Sequence, residues 1–452
     1  MQKSFLFDIN KCTGCQACTI ACSTENYKIQ EINWRDVHVY NEIHIPELPY
    51  FNLSLACNHC MEPACLLACP TRAYTKDTET GAVLVNQDYC MGCKYCTWAC
   101  PYDAPKYNQK TKVIEKCTFC NDRLKSGKDP ACVVACPTGS LQLTELQTND
   151  VGQNIQGFTN SNLEPAISFI PLREGYRFPE MIESTILNDF PDLFELSSSR
   201  SQNKISLRSE WSLVFFTSII AVLISWFTAH IVKSVFIDPW VFLGLGGIAL
   251  LFSSLHLGNK LRAYRAILNF KSSWLSREIV FVSAFLFFAG AHLISNQITE
   301  YARWAAIVSG FAGLYSIDML YRVALTKIPL QLHSASTFLT ALFLFGIFTL
   351  SPTIILTFGI IKLALYVYRK INFYKNNHST LPIVSAFRIL FGILFPVIII
   401  LVSSEIPGSL SIYIIIAVII GEVIDRCEFY NELEILTPKK QISLDLEKEL
   451  KK

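Results

Sequence analysis

Sixteen of the 17 cysteines in this 452-residue chain fall before residue 137, in four complete quartets. Cys12, Cys15, Cys18 and Cys22 are spaced C-x2-C-x2-C-x3-C, and Cys90, Cys93, Cys96 and Cys100 repeat that spacing before Pro101. Cys57, Cys60, Cys65 and Cys69 follow C-x2-C-x4-C-x3-C before Pro70. Cys117, Cys120, Cys132 and Cys136 follow C-x2-C-x11-C-x3-C before Pro137. Three thiolates on so tight a loop hold three irons of a cubane, while the fourth, next to a proline, ligates the paired cluster. Each pair of groups makes two clusters, so the pattern predicts four [4Fe–4S] clusters and no [3Fe–4S] cluster. A disulfide framework does not account for spacing this tight and regular, and structural zinc does not need an x2-x2-x3 run. Cys22 precedes Ser23 instead of proline and still counts as a ligand, because proline shapes the loop exit without binding metal.

The loops fit this chemistry. Gly14 and Gly92 sit where the backbone wraps close to sulfur. Phe5–Phe7, Ala82–Val85 and Leu141–Leu146 read as short strands. His59 is expected to be a neighbour of the metal group and not a ligand, since its quartet is complete. Tyr95, Trp98 and Tyr102 are expected to shield clusters from water. The net charge of only +2 gives no case for a nucleic-acid partner, and no secretory or twin-arginine signal is read at the N-terminus.

From Trp211 onward the composition is that of a membrane protein. Apolar runs at 212–233, 240–257, 279–297, 303–321, 334–350, 353–369, 384–402 and 408–425 approach the ~20 residues that cross a bilayer. The expected fold class is an α+β ferredoxin-like domain with four [4Fe–4S] clusters, followed by an all-α polytopic membrane domain of about eight transmembrane helices. The expected boundaries are 1–147 for the cluster domain, 148–210 for a connector with a short helix near Leu187–Leu196, 211–430 for the membrane domain and 431–452 for a polar tail. With eight spans, both chain ends share a side with the lysine- and arginine-rich connections, a side the positive-inside rule makes cytoplasmic.

Two ionisable residues stand out near the second connection. His256 ends one apolar run and Glu278 begins the next. Ionisable groups at that depth have a function or a partner. A quinol that gives up two electrons also gives up two protons, and a histidine and a glutamate in an apolar cleft suit that task. The alternative is that Glu278 pairs with Arg262, Arg265 or Arg277 and fixes the loop. Asp318 and Arg322, four apart, read as a structural ion pair. Paired mid-membrane histidines are not seen, so no haem is expected. Cys427 reads as an ordinary small residue.

The cysteine quartets resemble those of the iron–sulfur subunit of the dimethyl sulfoxide reductase family of molybdopterin enzymes. The rear half resembles that family's membrane anchor, through Leu255-His256-Leu257-Gly258, Arg262-Ala263, Ser273-Trp274-Leu275-Ser276-Arg277-Glu278, Gly421-Glu422, Arg426 and Phe429-Tyr430. The resemblance implies ligand sets that cross between motifs: Cys12, Cys15, Cys18 and Cys136; Cys22, Cys117, Cys120 and Cys132; Cys57, Cys60, Cys65 and Cys100; Cys69, Cys90, Cys93 and Cys96. It implies menaquinol oxidation at His256 and Glu278, with no catalytic residue in this chain. A separate large molybdopterin-containing subunit would reduce dimethyl sulfoxide or a similar terminal acceptor. The implied location is the cytoplasmic membrane, with the cluster domain on its extracytoplasmic face, opposite to the side given by the charge rule. Alternatives are reverse electron flow to quinone in a formate- or sulfur-compound-oxidising complex, and a respiratory ferredoxin-like module without a molybdenum partner.

Overall fold

Phe5 and Phe7 lie two apart on one face, at the period of a strand, with the less buried Leu6 between them, and both are buried in the strand they form, Lys3–Asp8 (β1). A computed structural model describes this strand and residues 2–26, 32–45, 48–146, 155–159, 161–173, 204–295, 300–322, 333–375, 382–402, 408–433 and 435–450. β1 pairs antiparallel with Leu141–Glu145 (β8), Lys3 opposite Glu145, and parallel with Ile167–Ile170 (β9). Three further two-stranded ladders join Asp36–Tyr40 (β2) to Phe51–Leu55 (β3), Tyr74–Lys76 (β4) to Val83–Val85 (β5), and Lys106–Tyr107 (β6) to Ile114–Glu115 (β7). Short helices at Ala17–Glu25, Ala64–Ala68, Tyr95–Ala99, Asn121–Lys125 and Ala131–Val134 each contain or are capped by a motif cysteine. Gly14 holds φ at +73°, and a Cβ there would stand 2.9 Å from the Asn52 side chain, so both backbone and space demand glycine. The Leu187–Leu196 segment lies outside the described residues.

The chain divides into two compact units. The first comprises Met1–Lys204, Leu261–Ala263 and Ile435–Lys452; the second comprises Ile205–Lys260 and Tyr264–Glu434. Residues that read as a polar tail therefore include a helix, Pro438–Leu450, built into the first unit. Ile442 and Leu446, four apart on one face, enter a core that contains Tyr40 and Leu53. The Gly157 N–H donates to Asp445 at 2.8 Å.

The second unit is helical. Ser206 and Ser209 cap Leu207–Lys233 reciprocally. Asp238 caps Pro239–Leu255, with proline at its first position. Asp318, expected to pair with Arg322, instead accepts the Thr337 and Phe338 N–H groups at 2.8 and 3.1 Å and anchors the start of Thr337–Phe348. Gly392 and Gly421 meet backbone to backbone, where a Cβ on Gly421 would lie 2.5 Å from the Gly392 Cα. This approach joins Pro382–Val402 to Gly408–Glu432.

The expectation of about eight transmembrane helices is corrected. Among the described residues, Leu207–Lys233, Trp274–Ile294 and Pro382–Val402 are long and apolar enough to cross a membrane. A fourth is added if Pro239–Leu255 and Lys260–Ile267, bent by 104°, form one span. Apolar run length overstates the count because helices break and shorten: Thr337–Phe348 has 12 residues, and Glu300–Tyr321 carries Glu300, Arg303 and Asp318. Sidedness argued from an even count of eight no longer follows. The four-cluster part of the fold class is corrected as well, because no three His, Cys, Asp or Glu side chains among the described residues are gathered to hold a metal ion.

The terminal helix yields a stability prediction. Ile442→Ala or Leu446→Ala should each destabilise the first unit by ~2–5 kcal/mol, as buried aliphatic truncations do. Exposed Leu450→Ala should change little. Thermal unfolding of the full chain, followed by proteolysis of the first unit, checks the difference.

Candidate electron-transfer and quinol sites

The first unit brings cysteines from distant motifs together. Cys57, Cys60, Cys65 and Cys100 line one cavity, with Lys116, Val83 and Tyr102 beside them. Cys12, Cys15, Cys18 and Cys136 line another, with Gly14 and Ser54. Cys22 is an electrostatic neighbour of Cys132 and Cys120, and Cys117 of Cys22. Cys69 stands in the same relation to Cys90, Cys93 and Cys96. The sulfurs surround open space and do not converge on a point. Among the described residues, no group of three or more potential ligands can hold a metal ion. The cofactor expectation of four intact [4Fe–4S] clusters is corrected on that finding.

Two buried cations show what charge these sites require. Arg35 and Lys116 are almost fully buried, and neither forms an ion pair with a carboxylate among the described residues. Burial opposes the charge of Arg35, but Cys132, Cys117, Cys18 and Cys22 outweigh it and hold its pKa above the ordinary range. Burial likewise opposes the charge of Lys116, and Cys57, Cys65 and Cys117 outweigh it. Lys116 donates to the Cys57 sulfur at 3.3 Å and to the Cys117 carbonyl at 2.8 Å. Without metal, burial pushes the Cys22 thiol up to about 12 and the Cys117 thiol well above its usual value, so both thiols stay neutral. A buried cation among neutral thiols lacks compensation. Arg35 donates to the Ser54 carbonyl and hydroxyl, both at 3.1 Å, and anionic sulfurs would supply the opposite charge.

Neighbouring side chains pack and exclude water. His59 accepts the Val83 N–H at 3.0 Å and stacks on Phe119 with ring centroids 4.6 Å apart. Burial lowers its pKa well below the imidazole range, so it is neutral. Tyr102 hydrogen-bonds Ser161 at 2.7 Å and stacks on Phe158, while Tyr95 meets the edge of Trp98. Arg262, part of the first unit, donates to the carbonyls of Gln87 at 2.6 Å and Cys90 at 3.0 Å.

In the second unit, Glu278 is buried in the first turns of Trp274–Ile294. His256 ends Pro239–Leu255. Gly246 faces Leu286 and Gly290 faces Leu243, an antiparallel register which, continued, sets His256 level with the Ser276–Arg277 step, next to Glu278. Arg277 donates to the carbonyls of Phe270 and Lys271 at 3.0 and 2.5 Å and covers the Trp274 ring. The loop is thus fastened without Glu278, whose charged neighbour is Arg426. Tyr321 and Tyr430 are hydrogen-bonded to each other, and Arg426 lies over the Tyr321 ring.

Sequence reasoning missed Arg35 and Lys116, which look like ordinary surface cations in a soluble stretch. It also missed an ion-pair ladder in the helical unit. Arg388 bridges Glu422 and Asp425 at 2.8 and 3.2 Å, and Arg369 contacts Asp425 and Glu432, both at 2.8 Å. Lys362 contacts Glu422 at 2.8 Å. Its signal was available, as Lys362 interrupts an otherwise apolar Ile360–Leu365 run.

Comparison with known proteins bears on both halves. A family model described as a 4Fe-4S dicluster domain matches residues 48–146. One described as the DMSO reductase anchor subunit (DmsC) matches residues 208–364. A component of the anaerobic dimethyl sulfoxide reductase of Haemophilus influenzae is 40% identical over 160 residues, covering 32% of this chain and 77% of the relative. Its counterpart from Escherichia coli (strain K12) is 39% identical over 148 residues, covering 31% and 72%. A component of the tetrathionate reductase of Salmonella typhimurium is 41% identical over 146 residues, covering 32% and 58%.

The buried cations generate a redox prediction. Lys116→Met should lower the midpoint potential of a centre held at Cys57 by about 60 mV or more, the one-electron equivalent of a charged hydrogen bond worth ~1.5 kcal/mol. The sign follows because a nearby cation favours the reduced, more negative form. An EPR-monitored redox titration measures the shift.

Proposed function

Because this chain belongs to the dimethyl sulfoxide reductase family, as an iron–sulfur subunit joined in one polypeptide to the membrane anchor subunit, we propose that it oxidises menaquinol at His256 and Glu278. The electrons pass through cysteine-held iron–sulfur centres to a separate molybdopterin catalytic subunit. The chain is a non-catalytic electron-transfer subunit and a multi-pass membrane anchor. Its first unit handles electrons and its second handles the quinol and its protons.

Two ligand sets follow from the cavities. Cys57, Cys60, Cys65 and Cys100 would hold one iron–sulfur centre, and Cys12, Cys15, Cys18 and Cys136 another. Such a centre takes up and releases single electrons without moving a proton. The protein's own contribution is the thiolate set, the offsetting charges of Lys116 and Arg35, and a dry surround that includes Tyr102. The Cys12 set lies toward the surface, with Cys15 exposed. Ile20 and Val134 are exposed on two helices that pack together beside it.

One observation carries the quinol assignment: Glu278 is buried and is not held by Arg262 or Arg277, both of which bind backbone carbonyls. Its carboxylate is therefore positioned to take a proton and not to fasten the loop. Proton acceptance in the transition state contributes ~10²–10⁴-fold to rate. Glu278→Gln should therefore slow reduction of the iron–sulfur centres by a menaquinol analogue by about that factor, while dithionite still reduces them. Stopped-flow absorbance of the assembled complex measures this, and wild-type quinol kinetics in the variant would sink the assignment.

A further inference from the structure

A proton delivered to a buried carboxylate must leave before the next turnover, and the helical unit contains groups placed to carry it out. We propose that His333, with the carboxylates of Asp425, Glu428 and Glu432, forms the exit by which protons taken from quinol at Glu278 reach water. The inference rests on the quinol reading of Glu278.

The path begins at one end of the bundle. Glu278 shares this end with Arg426, Tyr321 and Tyr430, all buried. The Arg426 guanidinium donates to the Ala335 carbonyl at 2.6 Å, two residues along the chain from His333. His333 comes next. It is 5% exposed, lies flat on Phe429 with ring centroids 4.1 Å apart, and both its ring nitrogens lack a hydrogen-bond partner among the described residues. Its charged neighbours are Arg369, Arg426, Asp425 and Lys362. A neutral imidazole open at both nitrogens accepts a proton at one and releases the other from the far side. Bare polar atoms this deep are ordinarily bridged by ordered water.

From His333 the acceptors continue outward. Asp425 contacts Arg369, and Arg369 contacts Glu432. Glu428 accepts from Tyr366 at 2.7 Å and Ser385 at 3.0 Å. Lys370 joins Glu428 and Glu432 at 2.9 and 2.5 Å, and with 16% side-chain exposure it is the most solvent-accessible member of the ladder. Ionised residues inside helices with apolar outer faces pair with one another and line ion pathways and proton relays. Here Ile360, Ile361, Val367, Ile412, Ile416 and Ile420 are exposed while the charges face inward. The step balances: quinol becomes quinone, two electrons leave to the iron–sulfur centres, Glu278 and His256 take one proton each, and the proton on Glu278 passes by His333 to the carboxylates.

The test uses the assembled complex in membranes, with a menaquinol analogue and the terminal acceptor. His333→Gln should keep a first turnover near the wild-type rate, because Glu278 and His256 still take one proton each. Later turnovers should slow on the order of tenfold or more, and imidazole should restore them in His333→Ala. Glu432→Gln, near the outer end, should show the same burst followed by slow turnover, and covers the case in which changes at His333 disturb folding. Wild-type steady turnover in both His333→Gln and Glu432→Gln overturns the exit while leaving Glu278 as acceptor. Loss of the first turnover in His333→Gln also overturns it, since that places His333 in quinol binding. Unimpaired quinol oxidation in Glu278→Gln removes the reading on which the exit rests.

Discussion

A charge removed from water needs an opposite charge beside it, and both halves of this chain are arranged around that demand. In the first unit, Arg35 and Lys116 are buried against cysteines and, among the described residues, not against carboxylates. In the second, Lys362, Arg369 and Arg388 are buried against Glu422, Asp425 and Glu432. The pairing there is internal and the outer faces stay apolar. The first arrangement favours anionic sulfurs, and the second lets ionised helices pack in an apolar setting. The Gly392–Gly421 contact serves the same end, because only bare backbones approach closely enough for Arg388 to reach across to Glu422.

This division suits a protein that must separate electrons from protons. Beside the cysteine sites screened by Tyr102 and Phe158, burial keeps His59 neutral and its ring is stacked on Phe119. Glu278 and the ladder offer proton acceptors without a redox group. Lys204 supports the electron side from the chain's midpoint, donating to the carbonyls of Thr97 and Cys100 at 3.0 and 3.2 Å. The Pro438–Leu450 helix braces the same unit from the end of the chain.

Local chemistry was legible in the sequence, and long-range geometry was not. Motif spacing identified the thiol loops, and short apolar stretches located β1 and β8, because both are properties of a few consecutive residues. The depth of Glu278 was legible from its place at the start of an apolar run. The span count was not, because hydropathy measures how apolar a run is, whereas Pro239–Leu255 is ended by a bend of 104° and Thr337–Phe348 by its own length. Arg35 and Lys116 carry no local mark of burial, since their partners come from three cysteine motifs. The terminal helix was legible in principle: Ile442 and Leu446 lie at helical spacing in a charged stretch, a pattern outweighed by its overall polarity.

The account depends most on cysteines from different motifs sharing one iron–sulfur centre, and paired substitutions with EPR of the reduced complex test that directly. Cys65→Ser and Cys100→Ser should each abolish or alter the same signal, since both residues line one cavity. Cys96→Ser should affect a different signal. If Cys100→Ser instead removed the signal lost in Cys96→Ser, the centres would follow the order of the sequence, and the cross-motif arrangement argued from the cavities would be wrong.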